Sequence, residues 1–178
     1  MQVLDKIISN FINNKSLYIG EKVTMSEHMI QTAMLAEKAK CGDDLICSSL
    51  LHDYGHFILE NPDDLVKLNV DGQHENIGYE YLKSFFKKEI LEPIKNHVLA
   101  KRYLANDKKY FDLLSEASKT SLKLQGGALN PEECNKFEAQ EYFKPSILLR
   151  KLDEAAKRTD LKMKSIHDYK KLLTYKLI

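Results

Sequence analysis

Five of the six histidines of this 178-residue chain stand at four places in its middle: His28, His52 with His56, His74, and His97. The run SLLHDYGH, residues 49–56, sets His52 beside Asp53 at the end of an apolar stretch. A helix ending there can offer an imidazole and a carboxylate to one cation. The second carboxylate oxygen can reach another, which is the chemistry of a two-metal site. His74 opens a helical pattern after Asp71-Gly72, and His97 sits in the apolar context IKNHVLA. Alone, each reads as an ordinary core histidine; four such placements beside a His-Asp pair point to shared ligation. Asp153 completes the set in LLRKLDEAAK, where Leu149 and Leu152 mark the inward side. A carboxylate beside buried leucines is unfavourable unless it meets a cation; the alternative is an exposed helical pair with Lys157. Four imidazoles and two carboxylates suit iron, manganese, cobalt or zinc.

Those ligands need rigid elements to hold them. Val3, Leu4, Ile7, Ile8, Phe11 and Ile12 follow helical spacing. Ser26 is a candidate cap for a second helix that carries His28 and ends at Gly42, and Asp43 or Asp44 for a third that runs into HDYGH, where Gly55 breaks the pattern. Further helices are expected to start near His74, Pro93, Ser115, Asn130-Pro131 and Pro145. The C-terminal helix containing His167 reads as structural. No stretch combines β-branched enrichment with clean alternation, so the expected fold is an all-α helical bundle in a single domain over residues 1–178.

Composition narrows the class. The 27 basic and 26 acidic residues nearly cancel, which argues against broad nucleic-acid or membrane binding. No apolar run approaches the length of a membrane span, and MQVLDKIISNFINNKS lacks a signal-peptide core. Cys41, Cys47 and Cys134 are an odd number without CxxC spacing, so a reducing cytoplasm is the expected location.

The order His28, His52-Asp53, His74, His97, Asp153 resembles the HD-domain superfamily of metal-dependent enzymes. YIGE (18–21), EH (27–28), LLHDYGH, QHENIGYEYL (73–82), HVLAKRYL (97–104), LSEAS (114–118), LQGG (124–127) and the RxxDE of Arg150 to Glu154 follow in order. Together they resemble one branch, the mixed-valent di-iron oxygenases of the 2-amino-1-hydroxyethylphosphonate oxygenase (PhnZ-like) type, relatives of myo-inositol oxygenase. The resemblance spans roughly residues 15 to 165.

That resemblance implies an HD-domain bundle with two iron ions, Fe(II)/Fe(III). His28, His52 and Asp153 would hold one, His74 and His97 the other, and Asp53 would bridge them. It implies that His56, Lys101, Ser118 and Arg150, with Gln125 of LQGG, hold a phosphonate. It also brings Tyr18 and Glu21 to the site, the tyrosine at an iron position when substrate is absent, the glutamate receiving a substrate ammonium. Charge counting agrees: five positive metal charges against two aspartates leave a surplus that favours an anion. Lys101 shares a helix face with His97, and Arg150 with Asp153. The implied reaction uses O2 to cleave the C–P bond of a small 1-hydroxyalkylphosphonate, giving phosphate and a carboxylic acid, glycine from the aminoethyl substrate. The rival is an HD phosphohydrolase acting on a nucleotide or other phosphate ester with much the same ligands. Three departures from the branch pattern, at Leu99, at Ala128-Leu129 and at Leu152, bear on pocket shape. Tyr18, Tyr54 and Tyr103 are candidate walls of an aromatic cage for a trimethylammonium group.

Overall fold

The structure is a computed structural model that describes residues 3–18, 21–59 and 71–178. Ile19 and Gly20 of YIGE therefore lie outside the described residues. Among those described, ten α-helices and two 3₁₀ turns are present and no strand; the one bridge pairs Leu17 with Thr24.

The helices are α1 (Val3–Asn13), α2 (Met25–Lys38), α3 (Asp43–Leu51), α4 (His74–Leu82), α5 (Lys88–Leu104), α6 (Lys108–Leu113), α7 (Glu116–Leu124), α8 (Pro131–Glu138), α9 (Phe143–Ala155) and α10 (Lys170–Lys176). The 3₁₀ turns cover Tyr54–Phe57 and Ile166–Tyr169. At the centre, α5 packs against α3, α4 and α9, while α2 packs on α3 and α9. The main core joins Ile7 and Phe11 of α1 to Met29, Leu50, Leu51, Leu82, Ile90 and Ile94, all buried. A satellite core of Ala100, Leu129 and Phe137 lies under α8. Each buried aliphatic side chain contributes about 1.5–3 kcal/mol over its exposed state, so the central helices hold their register firmly.

Local signals explain most boundaries, and some differ from expectation. Thr24, not Ser26, caps α2: its side chain accepts from the Glu27 amide while Glu27 accepts from the Thr24 amide. Ser26 is buried and donates instead to the Phe11 carbonyl at 2.8 Å. Lys40, at φ 56°, takes the left-handed position after α2, and Gly42 precedes α3 as its cap, displacing Asp43 and Asp44 into its first turn. Helix α5 begins at Lys88, ahead of Pro93, because Ile90, Leu91 and Ile94 keep one apolar face through the proline. Pro145 sits in the first turn of α9, where an amide is unpaired in any helix. Asn130 with Glu133 forms the expected cap of α8, with Pro131 first in the helix. Helix α6 buries none of its residues, so it left no apolar period to read.

Candidate metal centre

The core elements deliver one ligand group each to a common point. His28 projects from the first turn of α2, His52 and Asp53 from the end of α3, His74 from the start of α4, His97 from mid-α5, and Asp153 from the last turn of α9. All six are buried. Two groups of three donors result, His28–His52–Asp153 and Asp53–His74–His97, with donor atoms inside each group within 4.8 Å of one another.

Asp53 lies between them. Its Oδ2 is 3.5 Å from His28 Nε2 and 3.3 Å from His52 Nε2. Its Oδ1 is 3.2 Å from His74 Nε2 and 3.4 Å from His97 Nε2. One carboxylate thus faces two imidazole pairs, one with each oxygen. Asp153 Oδ1 lies 3.1 Å from His28 Nε2 and is buried without a hydrogen-bond partner. An orphaned carboxylate oxygen is unfavourable unless a cation meets it. Four Nε2 atoms crowd the same space, His28 to His52 at 3.2 Å and His74 to His97 at 3.0 Å. Lone pairs do not converge without something to share, so the residues fit a pair of metal ions.

The outer nitrogens are anchored, as metal-ligating histidines require. His28 Nδ1 donates to the Ala156 carbonyl at 2.9 Å, His52 Nδ1 to Ser49 at 2.9 Å and His97 Nδ1 to Ile94 at 2.6 Å. His74 Nδ1 faces Glu75 Oε2 at 3.6 Å, a buried oxygen with no other partner. Backbone contact sets the start of α4: a Cβ on Gly55 would fall 1.9 Å from the His74 carbonyl oxygen, so only glycine lets the His52–His56 turn approach that closely.

The charges are strongly coupled. Burial alone would lower the His52 imidazole, but the neighbouring Asp53 carboxylate carries it up to about 9. Burial would raise Asp53, and His52 holds it well below the usual carboxylate range; Arg150 does the same for Asp153. A divalent ion would replace the proton on His52.

One flank is lined by cations. The Arg150 guanidinium is buried, pairs with Asp153 and Glu154, lies 3.3 Å from Ser118 Oγ, and donates through Nε to the Tyr110 hydroxyl at 2.8 Å. Lys101 is buried with Nζ donating to Ser121 Oγ at 2.9 Å, and burial pulls its ammonium down to about 7. His56 stacks on His74 at 4.2 Å, and burial followed by the charge of His74 pushes it to about 3. Tyr18 stacks on His28 at 4.1 Å with planes 11° apart, its phenol raised by burial and by Asp153. Glu21 is held beside Lys157. Among the described residues, Gln125 forms no side-chain hydrogen bond with Arg150 or Ser118. It lines a cavity of about 340 Å³ with Glu75, Asn96, Leu99 and Arg102, its Oε1 buried and unpartnered.

Other expectations are corrected. Tyr54 is sealed in the main core against Phe11 and Phe57, its hydroxyl accepting from Asn10, and Tyr103 packs on Phe137 and Phe143. Neither walls the site; of the three tyrosines, Tyr18 is the one beside it. Lys157 pairs with Glu154 rather than Asp153. Of the departures, Leu99 lines the cavity, Leu129 and Leu152 fill the two cores, and Ala128 is exposed. Sequence reasoning missed Glu75, Tyr110, Glu154 and Lys157 as parts of the site. Glu75 and Glu154 each follow a ligand directly in sequence, which was the available signal.

Comparison with known proteins places this geometry. The HD domain family model matches residues 25–155, well over half of the chain. The chain is 46% identical over 145 residues to the [1-hydroxy-2-(trimethylamino)ethyl]phosphonate dioxygenase (glycine-betaine-forming) of Leisingera caerulea, covering 81% of this chain and 74% of that protein. It is 40% identical over 154 residues to the hydroxymethylphosphonate dioxygenase of Gimesia maris, covering 85% and 77%. An uncharacterized protein, L432, of Acanthamoeba polyphaga mimivirus is 39% identical over 160 residues, covering 88% and 73%. No described helix is long and apolar enough to cross a membrane. With the helical bundle, the matched family model and two dioxygenase relatives in agreement, the chain belongs to the HD-domain family, in its PhnZ-like oxygenase branch.

Proposed function

We propose that the chain is one domain whose paired metal site holds two iron ions, Fe(II)/Fe(III), and cleaves the C–P bond of a small 1-hydroxyalkylphosphonate with O2. The observation that carries this reading is Asp53, which turns one oxygen to each histidine pair. The products are inorganic phosphate and a carboxylic acid. For 2-amino-1-hydroxyethylphosphonate the acid is glycine, and both atoms of O2 enter the products, so the equation balances without another reductant. Hydroxymethylphosphonate and the trimethylammonio analogue, which the relatives' names specify, are substrates of the same class.

When bound, the two irons supply Lewis acidity and the electrons that activate O2. His28, His52 and Asp153 would hold one and His74 and His97 the other, with Asp53 between them. The protein's remaining task is to bind, orient and exclude water. Arg150, fixed by Tyr110, Asp153 and Glu154, brings a permanent positive charge to the phosphonate oxygens. Burial pulls the Lys101 ammonium down to about 7, and an arriving dianion would favour its protonated form. His56 stays neutral at pH 7 and offers one N–H or one lone pair to the same group. Gln125 lines the separate cavity beside Glu75 and Arg102 and takes no part in holding the phosphonate. Tyr18 covers the first metal position, and Glu21 faces the substituent on the carbinol carbon.

The phosphohydrolase alternative shares the ligands, but the dioxygenase relatives favour oxygen chemistry. The test is phosphate release by the iron-loaded protein from the three phosphonates, with and without O2. Oxygen-dependent phosphate with the matching acid supports the reading. Phosphate released anaerobically from a phosphate ester, with none from any phosphonate, supports the hydrolase.

A further inference from the structure

Lys157 stands just past α9 and belongs to no helix, yet its backbone is fixed on both sides. The Ala156 carbonyl before it accepts from His28 Nδ1 at 2.9 Å. The Arg158 carbonyl and amide after it pair with the Gln31 side chain at 2.7 and 3.0 Å. Both anchors are on α2, so the lysine arm is aimed rather than loose.

Its ammonium meets two separate groups. Toward Arg150, it donates to Ser115 Oγ at 2.9 Å, Ser118 Oγ at 3.0 Å and Glu154 Oε1 at 3.0 Å. Toward the N-terminal side, it lies 3.4 Å from Glu21 Oε1 and 5.7 Å from the centre of the Tyr18 ring. The Lys157 and Glu21 side chains are 10% and 16% exposed. Among the described residues, no other side-chain hydrogen bond or ion pair joins the two groups. A carboxylate beside an aromatic face is a receptor for ammonium, and here the chain fills it with its own lysine. Glu21 Oε1 is buried and has no hydrogen-bond donor, so Lys157 is the nearby charge that compensates it.

We infer that Lys157 is a positioning residue that ties Tyr18 and Glu21 to the anion-binding flank formed by Ser118, Glu154 and Arg150, and so transmits occupancy of that flank to Tyr18. An anion seated against Ser118 and Arg150 competes with Glu21 for the Lys157 ammonium. Weakening that pair loosens Tyr18, whose ring stacks on His28. The transmission rests on the proposed reading of Arg150 and Ser118 as anion ligands; the tie does not.

The test is hydrogen–deuterium exchange on the zinc-loaded full chain, with and without methylphosphonate, for wild type, Lys157→Met and Lys157→Arg. The reporting amides are Tyr18, which donates to Val23, and Glu21, which donates to Tyr18. In Lys157→Met these amides should exchange at least tenfold faster while α5 amides keep their protection, with Lys157→Arg between. Methylphosphonate should change their exchange at least threefold in wild type and leave Lys157→Met unchanged. Glu21→Gln replaces Lys157→Met should the latter fail to fold, and should give the same acceleration. Unaltered exchange in a folded variant overturns the tie, and an equal response to methylphosphonate in wild type and variant overturns the transmission. Failure of wild type to bind methylphosphonate in a titration overturns the anion reading, and the transmission with it, while the ligand-free comparison still judges the tie.

Discussion

The two donor clusters are built differently. The first draws on α2, α3 and α9, with His28, His52, Asp153 and one oxygen of Asp53 around it. Arg150 anchors Asp153, and Tyr18 stacks on His28. The second draws on α4 and α5 and has His74, His97 and the other Asp53 oxygen. Its histidine at the start of α4 follows Gln73, held at φ 47°, and leans on Glu75 rather than on a backbone carbonyl. Around a six-coordinate ion, four donors would leave fewer positions open for exogenous ligands than three would. The first position would therefore be the more enclosed, the second the more open.

Asp53→Ala should widen the difference, because three donors remain at the first position and two at the second. About one ion per chain should be retained by elemental analysis, while turnover drops by at least about 10³-fold, the scale of losing a unit that acts together. The single histidines should separate them. His74→Ala leaves two donors at the second position and retains about one ion per chain, whereas His28→Ala still takes up two in excess metal. Arg150→Met should lower kcat/KM by about 10²-fold, since a charge-assisted contact to the substrate is lost, with KM carrying more of the change than kcat. Glu75→Gln should weaken metal binding about 10–100-fold, at the second position only, read by competitive chelator titration.

The smallest effect concerns pH. His52 in the metal-free protein is carried up to about 9 by Asp53. A raised folded value means stability fully present below the unfolded value near 6.5 and lost as pH climbs through 9. The metal-free protein should thus melt several degrees lower at pH 9.5 than at pH 6.5. The loaded protein, with an ion in place of that proton, should lose less. Equal shifts for the two forms would show that His52 does not share its lone pair with a metal.

Much of this site was legible in the chain because its ligands come with local context. His52-Asp53 closes an apolar helix, His74 opens one, and Asp153 follows an inward leucine. The order of these pieces, together with YIGE and LQGG, carried the family. The missed parts depend on contacts between distant segments. Lys157 reaches Ser115 and Ser118 across some forty residues, and Tyr110 meets Arg150 at the same separation. Nothing in AAKRTD announces the Lys157 contacts, nor does the sequence around Tyr110 announce its own. The caps erred where two candidates stood together: Thr24 won over Ser26 because only Thr24 has Glu27 three residues on. Tyr54 and Tyr103 misled because aromatic type says nothing of which core a ring enters.

The claim on which the account turns is that Asp53 joins two cations. Anomalous diffraction at the iron edge from iron-loaded crystals tests it most directly. Two peaks about 3.5–4 Å apart, one against each oxygen of the Asp53 carboxylate, are the predicted result. A single peak, or two peaks of which only one lies against Asp53, would contradict it.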